Sequence, residues 1–343
     1  MKRDSPFVVR NSQFDKAYGC LAGLALGDAL GMPTEFMTPE QIAAEYGRVV
    51  NLVSPPDSHP RAALGRGRVT DDTEQALALA EVYLRDGQVR AEAVAQAVLD
   101  WAAAQSEHLA LYLGPSTRRA LEALRAGESP RQSGCQGKTN GAAMRIAPVG
   151  IVNAANLEGA LLDTVEVCLP THGTTLAISG AAAAACAVAQ AMRNDATLEA
   201  VLEAAMEGAI RGRRHGAYAW TPLLERRIAL AVRLVREAES ESEALRALYD
   251  YVGVDMLVTE SIPTAFGLVI LAGGDPMRAV RYAANIGGDT DTIGAIAGGI
   301  CGALRGIGAV DRTMLAEVER VNGLNLETVA QGLVAVGQIR SAQ

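Results

Sequence analysis

The sequence predicts an all-α protein, a single-domain bundle of many helices packed orthogonally, and three observations carry that reading. Ala and Gly dominate while aromatic residues make up only 4% of the 343-residue chain, a mix that suits close helix packing better than a β-sandwich. Apolar residues recur at helical spacing in stretch after stretch, and no stretch alternates apolar and polar residues long enough to specify a strand. In the first such stretch, glycines stand at every fourth position: Gly19, Gly23, Gly27 and Gly31. Each Gly in a helix costs up to ~1 kcal/mol against Ala, so four on one stripe imply that another backbone comes close there.

Residues 1–13 read as a loose arm and 14–343 as the helical domain. A helix begins at Phe14 and is closed by Pro33, with Glu35 in the loop beyond it. A polar segment with Pro55, Pro56, Pro60, Gly65 and Gly67 reads as a long connection, a feature that is often functional inside a compact domain. It leads to Thr70-Asp71-Asp72-Thr73 and a helix over 75–84. Further helices are expected over 89–105 and 118–126, then a loop over 134–141, an apolar stretch over 142–155 and a helix over 157–168. His172 and Gly173 are read as opening an Ala-rich helix over 175–192. Helical patterns follow over 196–212, 222–239, 260–271 and 276–284. The last of these runs into Asn285-Ile286-Gly287-Gly288-Asp289-Thr290-Asp291-Thr292, directly before an apolar run over 293–304. That run repeats small residues (Gly294, Ala297, Gly298, Gly302) and is expected to cross the Gly-striped first helix tightly at the centre of the fold. Helical pattern over 310–339 closes the chain.

The net charge of −8 carries no general footprint for nucleic acid. Arg211, Arg213 and Arg214 form one local basic patch, read as a solvated or phosphate-facing corner. Five scattered cysteines without a CxxC pair point to reduced thiols in a cytoplasmic protein. The N-terminus lacks the apolar core of a signal peptide, and the longest apolar run falls short of a membrane span, so no membrane partner is expected. The chain is expected to be a monomer or a weak homodimer.

Two oxygen-rich clusters bear the chemistry. Thr70, Asp71 and Asp72 precede one apolar helical run, and Asp289, Asp291 and Thr292 precede another. Helix capping needs one such residue per helix start, whereas each start here carries four oxygen side chains in succession. Together they offer six oxygen ligands with no His or Cys, the donor set of Mg²⁺, Mn²⁺ or Ca²⁺. The helix dipole opposes a cation at either place, which explains why so many carboxylates are needed.

Five blocks, in order, resemble the ADP-ribosylglycohydrolase family. They are Gly19-Cys20-Leu21-Ala22-Gly23-Leu24-Ala25-Leu26-Gly27-Asp28-Ala29-Leu30-Gly31 with Glu35; Thr70-Asp71-Asp72-Thr73; Thr139-Asn140-Gly141-Ala142-Ala143-Met144-Arg145; His172-Gly173; and Gly287-Gly288-Asp289-Thr290-Asp291-Thr292. The resemblance implies an all-α fold with a binuclear centre of two Mg²⁺ or Mn²⁺ ions in a central cleft. It implies that Thr70, Asp71, Asp72, Asp289, Asp291 and Thr292 ligate them, with Glu35 beside them as a base or a gating ligand. Glu35, Asp72 and Asp291 are the expected catalytic set. Thr139, Asn140, Gly141, Met144, His172, Gly287 and Gly288 are the expected substrate-binding set, with His172 near a diphosphate. The implied activity is hydrolysis of an N- or O-glycosidic bond of an ADP-ribosyl group on a protein side chain or a small acceptor. Where nitrogenase-type relatives carry an Asp-Ile-Gly segment, this chain has Leu113-Gly114-Pro115-Ser116. That departure keeps open a nucleoside-type glycohydrolase with no diphosphate requirement. A non-enzymatic, crystallin-like member of the family is a third possibility.

Overall fold

The computed structural model describes residues 12–105 and 113–342, so most of the predicted arm lies outside the described residues. The first helix, α1, spans Ser12–Gly31 and starts two residues earlier than the sequence pattern suggests. Seventeen α-helices and no strand occur among the described residues, and β pairing is limited to two isolated bridges.

The Gly stripe explains the centre of the molecule. Helix α1 packs against Thr290–Arg305, the fifteenth helix in order and here α15. A Cβ added to Gly19, Gly23 or Gly27 would lie 2.5, 2.1 or 2.0 Å from the carbonyl oxygens of Gly302, Gly298 and Gly294 respectively. One series ascends as the other descends, so the two helices run antiparallel along the whole stripe, where the sequence pattern suggested only a crossing. The consequence is functional. The C-terminal end of α1, with Asp28 and Gly31, lies beside the N-terminal end of α15, with Thr290 and Asp291. Thr290 Oγ1 donates to the Gly31 carbonyl at 2.8 Å, latching the two ends together, and Thr34 Oγ1 donates to the Ala284 carbonyl at 2.9 Å in the helix that precedes α15.

A third helix, α3 (Asp71–Asp86), docks on α1 through Asp28. Asp28 accepts from Thr70 N and Thr73 N at 3.0 and 3.1 Å and from their hydroxyls at 2.9 and 2.5 Å. An Ala-rich helix, α9 (Thr175–Ala191), is apolar on all sides, and all of its residues but Thr175 and Gln190 are buried, as a helix without a polar face must be.

Several local expectations are corrected. His172 closes the helix Leu157–His172 rather than opening the next one. A helix absent from the sequence reading, Pro39–Tyr46, begins with a reciprocal Thr38/Gln41 capping box that was legible in the sequence. The closing pattern is two helices, Arg312–Asn322 and Leu326–Ser341, divided by Gly323 in the left-handed conformation and capped anew by Asn325.

Candidate metal centre and active site

The ends of α1, α3 and α15 converge on a cavity of about 430 Å³, a size typical of small-molecule sites. Glu35, Asp71, Asp72, Asp289, Asp291 and Thr292 line one side. Thr139, Asn140, Gly141 and Met144 line another, with Leu113, Gly114, Pro115 and Met256 beside them. The segment that departs from the nitrogenase-type pattern therefore does face the cavity, and it presents an apolar wall there.

Two trios of carboxylates stand out. Oxygens of Asp28, Asp72 and Asp291 lie within 4.8 Å of one another, and so do oxygens of Glu35, Asp289 and Asp291. Asp291 belongs to both. All five residues and Asp71 are between 0% and 7% exposed, so six carboxylates share a buried space with one guanidinium, that of Arg61. Burial, then repulsion from Asp291, pushes Asp28 up to about 7. Burial, opposed by Arg61, pushes Asp71 up to about 8. The same causes hold Glu35, Asp72 and Asp289 well above the ordinary carboxylate range. A cluster this short of positive charge suits divalent cations.

The polar atoms within it agree. Asp72 Oδ1 is buried and accepts no hydrogen bond, which is costly for a carboxylate oxygen unless a cation takes it. Asp289 occupies the N-cap position of α15 yet makes no capping hydrogen bond. Its Oδ2 instead accepts from Asn140 Nδ2 at 2.5 Å. Capping therefore does not account for Asp289. It does account in part for Thr70, whose hydroxyl accepts from Asp72 N and donates to Asp28 at 2.9 Å, with Asp72 Oδ2 a second acceptor in reach at 3.1 Å.

Four of the expected site residues do not line the cavity. Thr70 is wholly buried behind it. His172 is also wholly buried; its Nε2 is hydrogen-bonded to Thr139 Oγ1 at 3.1 Å and its Nδ1 to Thr171 Oγ1 at 2.7 Å. Burial holds its pKa well below the usual value, so it stands as a neutral prop under the Thr139–Met144 loop. That prop extends through Arg145, which donates to Thr171 Oγ1 and to Gln75 Oε1, to Gln75, which donates to Asp71. Gly287 and Gly288 take positive φ, and Gly288 pairs its backbone N–H and carbonyl with Met37 and Phe36. A Cβ on Gly288 would meet the Val254 carbonyl at 2.5 Å. The pair shapes the turn that aims Asp289. The Arg211–Arg214 corner is absent from the cavity too; Arg211 pairs with Glu158 and Arg213 with Glu225.

Two participants were missed in the sequence. Asp28 stands in the first family block with no role assigned to it, although a carboxylate inside an apolar helical run is itself a signal. Arg61 lay in the polar connection, where nothing marked it.

The family model described as ADP-ribosylglycohydrolase matches residues 10–342. The chain belongs to the ADP-ribosylglycohydrolase family. Members of the family are hydrolytic glycosidases acting on ADP-ribose linkages, and this chain is an enzyme of that kind. The protein YegU of Escherichia coli K12 is 35% identical over 96% of this chain and 99% of its own length. The ADP-ribosyl-[dinitrogen reductase] glycohydrolase of Rhodospirillum rubrum is 31% identical over 48% of this chain and 54% of its own. A solved structure titled ADP-ribosylglycohydrolase-related protein complex superimposes with a TM-score of 0.70 at 26% identity, covering 95% of this chain and 99% of that one. No helix among the described residues is long and apolar enough to cross a membrane.

Proposed function

We propose that this ADP-ribosylglycohydrolase hydrolyses the glycosidic bond at the anomeric carbon of an ADP-ribosyl group, at a centre of two Mg²⁺ or Mn²⁺ ions. The observation that carries this is the pair of buried carboxylate trios sharing Asp291 on the cavity wall. Asp28, Asp72 and Asp291 would hold one ion, and Glu35, Asp289 and Asp291 the other; Asp71 and Thr292 line the cavity beside them. Bound there, the ions supply positive charge that orients ribose hydroxyls and makes a water more acidic.

The chain's own groups do the rest. Glu35 accepts the attacking water's proton at its Oε2, and Asp72 and Asp291 orient that water. As the leaving group departs, positive charge develops at the anomeric carbon, and the surrounding carboxylates stabilise it. Asn140 holds Asp289 in line through its amide. Ser116 Oγ accepts from Lys138 N and Thr139 N, fixing the loop against which the sugar would lie. Leu113, Pro115, Met144 and Met256 keep bulk water from that side.

One observation favours a second reading of the substrate. The wall formed by Leu113, Gly114 and Pro115 offers no carboxylate to a cationic acceptor, which suits a neutral leaving group or a simple ribosyl compound. Turnover of ADP-ribosyl-arginine, ADP-ribosyl-serine, O-acetyl-ADP-ribose and nucleosides separates the two. In either case Asp289→Ala and Asp71→Ala are expected to abolish turnover and weaken Mn²⁺ uptake. Full activity of either variant in metal-depleted buffer would falsify the proposal.

A further inference from the structure

Arg61 is the only basic side chain among the described residues lining the cavity. The connection between residues 47 and 70 holds it firmly. Arg61 N donates to His59 Nδ1 at 3.1 Å, so His59 Nε2 carries the proton and donates to the Glu35 carbonyl at 2.8 Å. The His59 and Phe36 rings stack with centroids 6.2 Å apart, and the guanidinium lies 5.8 Å from the Phe36 centroid. Arg61 Nη1 then stands 2.7 Å from Asp291 Oδ2 and 2.8 Å from Glu35 Oε2. One nitrogen thus occupies the space between two of the three carboxylates of the second trio. The ligand oxygens of that trio lie within 4.8 Å of one another, and a divalent ion would sit ~2.0–2.6 Å from each. The guanidinium and the ion cannot both fill that space. In the first trio Arg61 touches only the shared Asp291: Asp28 is engaged by Thr70 and Thr73, and Asp72 Oδ1 by nothing.

We propose that Arg61 is a tethered counter-cation that holds Glu35 and Asp291 together in the metal-free protein and yields them to the second divalent ion. The inference rests on the two-ion reading above and adds an order to it. The Asp28–Asp72–Asp291 site, where Arg61 touches one carboxylate and not two, fills first. The Glu35–Asp289–Asp291 site fills only as Arg61 is displaced, and its affinity is set by that exchange. A buried ion pair that loses one partner leaves an uncompensated charge, so Arg61 also stabilises the protein while metal is absent.

The test is Mn²⁺ binding, followed by the electron paramagnetic resonance of free Mn²⁺ and by calorimetry, on the full chain and on Arg61→Ala and Arg61→Met. The wild type is expected to bind in two unequal steps. In both variants the second step should tighten by roughly tenfold or more as the competing ion pair disappears, while the first changes less. Millimolar guanidinium should weaken the second step of Arg61→Ala back toward wild type and leave the wild type unaffected, which a merely structural role of Arg61 would not produce. In metal-free buffer the variants should melt lower than wild type, and Mn²⁺ should close the gap. A second step that is unchanged or weaker in folded variants overturns the proposal while leaving the two-ion site intact. A wild type that takes up no Mn²⁺ overturns both.

Discussion

The antiparallel contact of α1 with α15 makes one substitution especially informative. In Gly27→Ala the new Cβ would lie 2.0 Å from the Gly294 carbonyl oxygen, 2.2 Å from its carbon and 2.6 Å from Ala295 N. Ordinary contact begins near 3.4 Å, and every atom met is backbone, so no rotamer change relieves the clash. The helices must separate by more than an ångström. Overpacking of a core costs ~1–3 kcal/mol and more when backbone must move. Ala gains back at most ~1 kcal/mol in helix propensity. A net loss of about 3 kcal/mol is expected, on the order of 5 °C in Tm for a chain of this size. The same separation draws Asp28 away from Asp291, so Mn²⁺ affinity should fall with stability. Gly299→Ala on the facing helix α15 is the control: its Cβ finds nothing nearer than 3.6 Å, so it should be neutral or slightly stabilising. Thermal melting with and without Mn²⁺, together with calorimetric titration, decides the matter. If Gly27→Ala melts and binds Mn²⁺ like wild type, the stripe does not set the spacing of the carboxylates.

Asp28→Ala leaves the amides of Thr70 and Thr73 and the Thr73 hydroxyl without an acceptor; a loss of about 3 kcal/mol and of tight Mn²⁺ binding is expected, read by denaturant unfolding and titration. Asp28 and Asp71 are raised from 3.8 to about 7 and about 8, so the folded metal-free chain keeps protons that the unfolded chain releases. Their stabilisation is full below pH about 4 and is lost as pH rises to about 8. Melting in EDTA should therefore drop across that window, and excess Mn²⁺, which binds the deprotonated carboxylates, should flatten the drop. His172→Ala removes the prop under Thr139; it should lower stability by ~2 kcal/mol and leave the shape of the pH–rate profile unchanged, because a group buried neutral contributes no ionisation to it.

Much of this was legible in residue spacing. The four-residue Gly repeat marked α1, the matching small residues marked α15, and four oxygen side chains in succession at each of two helix starts exceeded what capping requires. These are local signals, and a helix's periodicity shows which side chains share a face. Other features were not local. Gly287 and Gly288 look like substrate contacts beside Asp289, yet their positive φ serves the turn against Phe36 and Met37. His172 sits in a family block but behind the wall, because Gly141 lacks a Cβ and its missing side chain leaves room for the imidazole ring.

The sequence by itself determined the helical class, the tight helix pair and most of the carboxylates, since composition and periodicity act within one element. Tertiary structure alone decided that the pair runs antiparallel, which brings Asp28 from the end of one helix to Asp291 at the start of another. It alone placed Arg61 among the carboxylates, because the path of a long irregular connection is set by what its residues dock against and leaves no period in the chain. The buried charge those two residues share is what turns a pair of helix starts into a cation site.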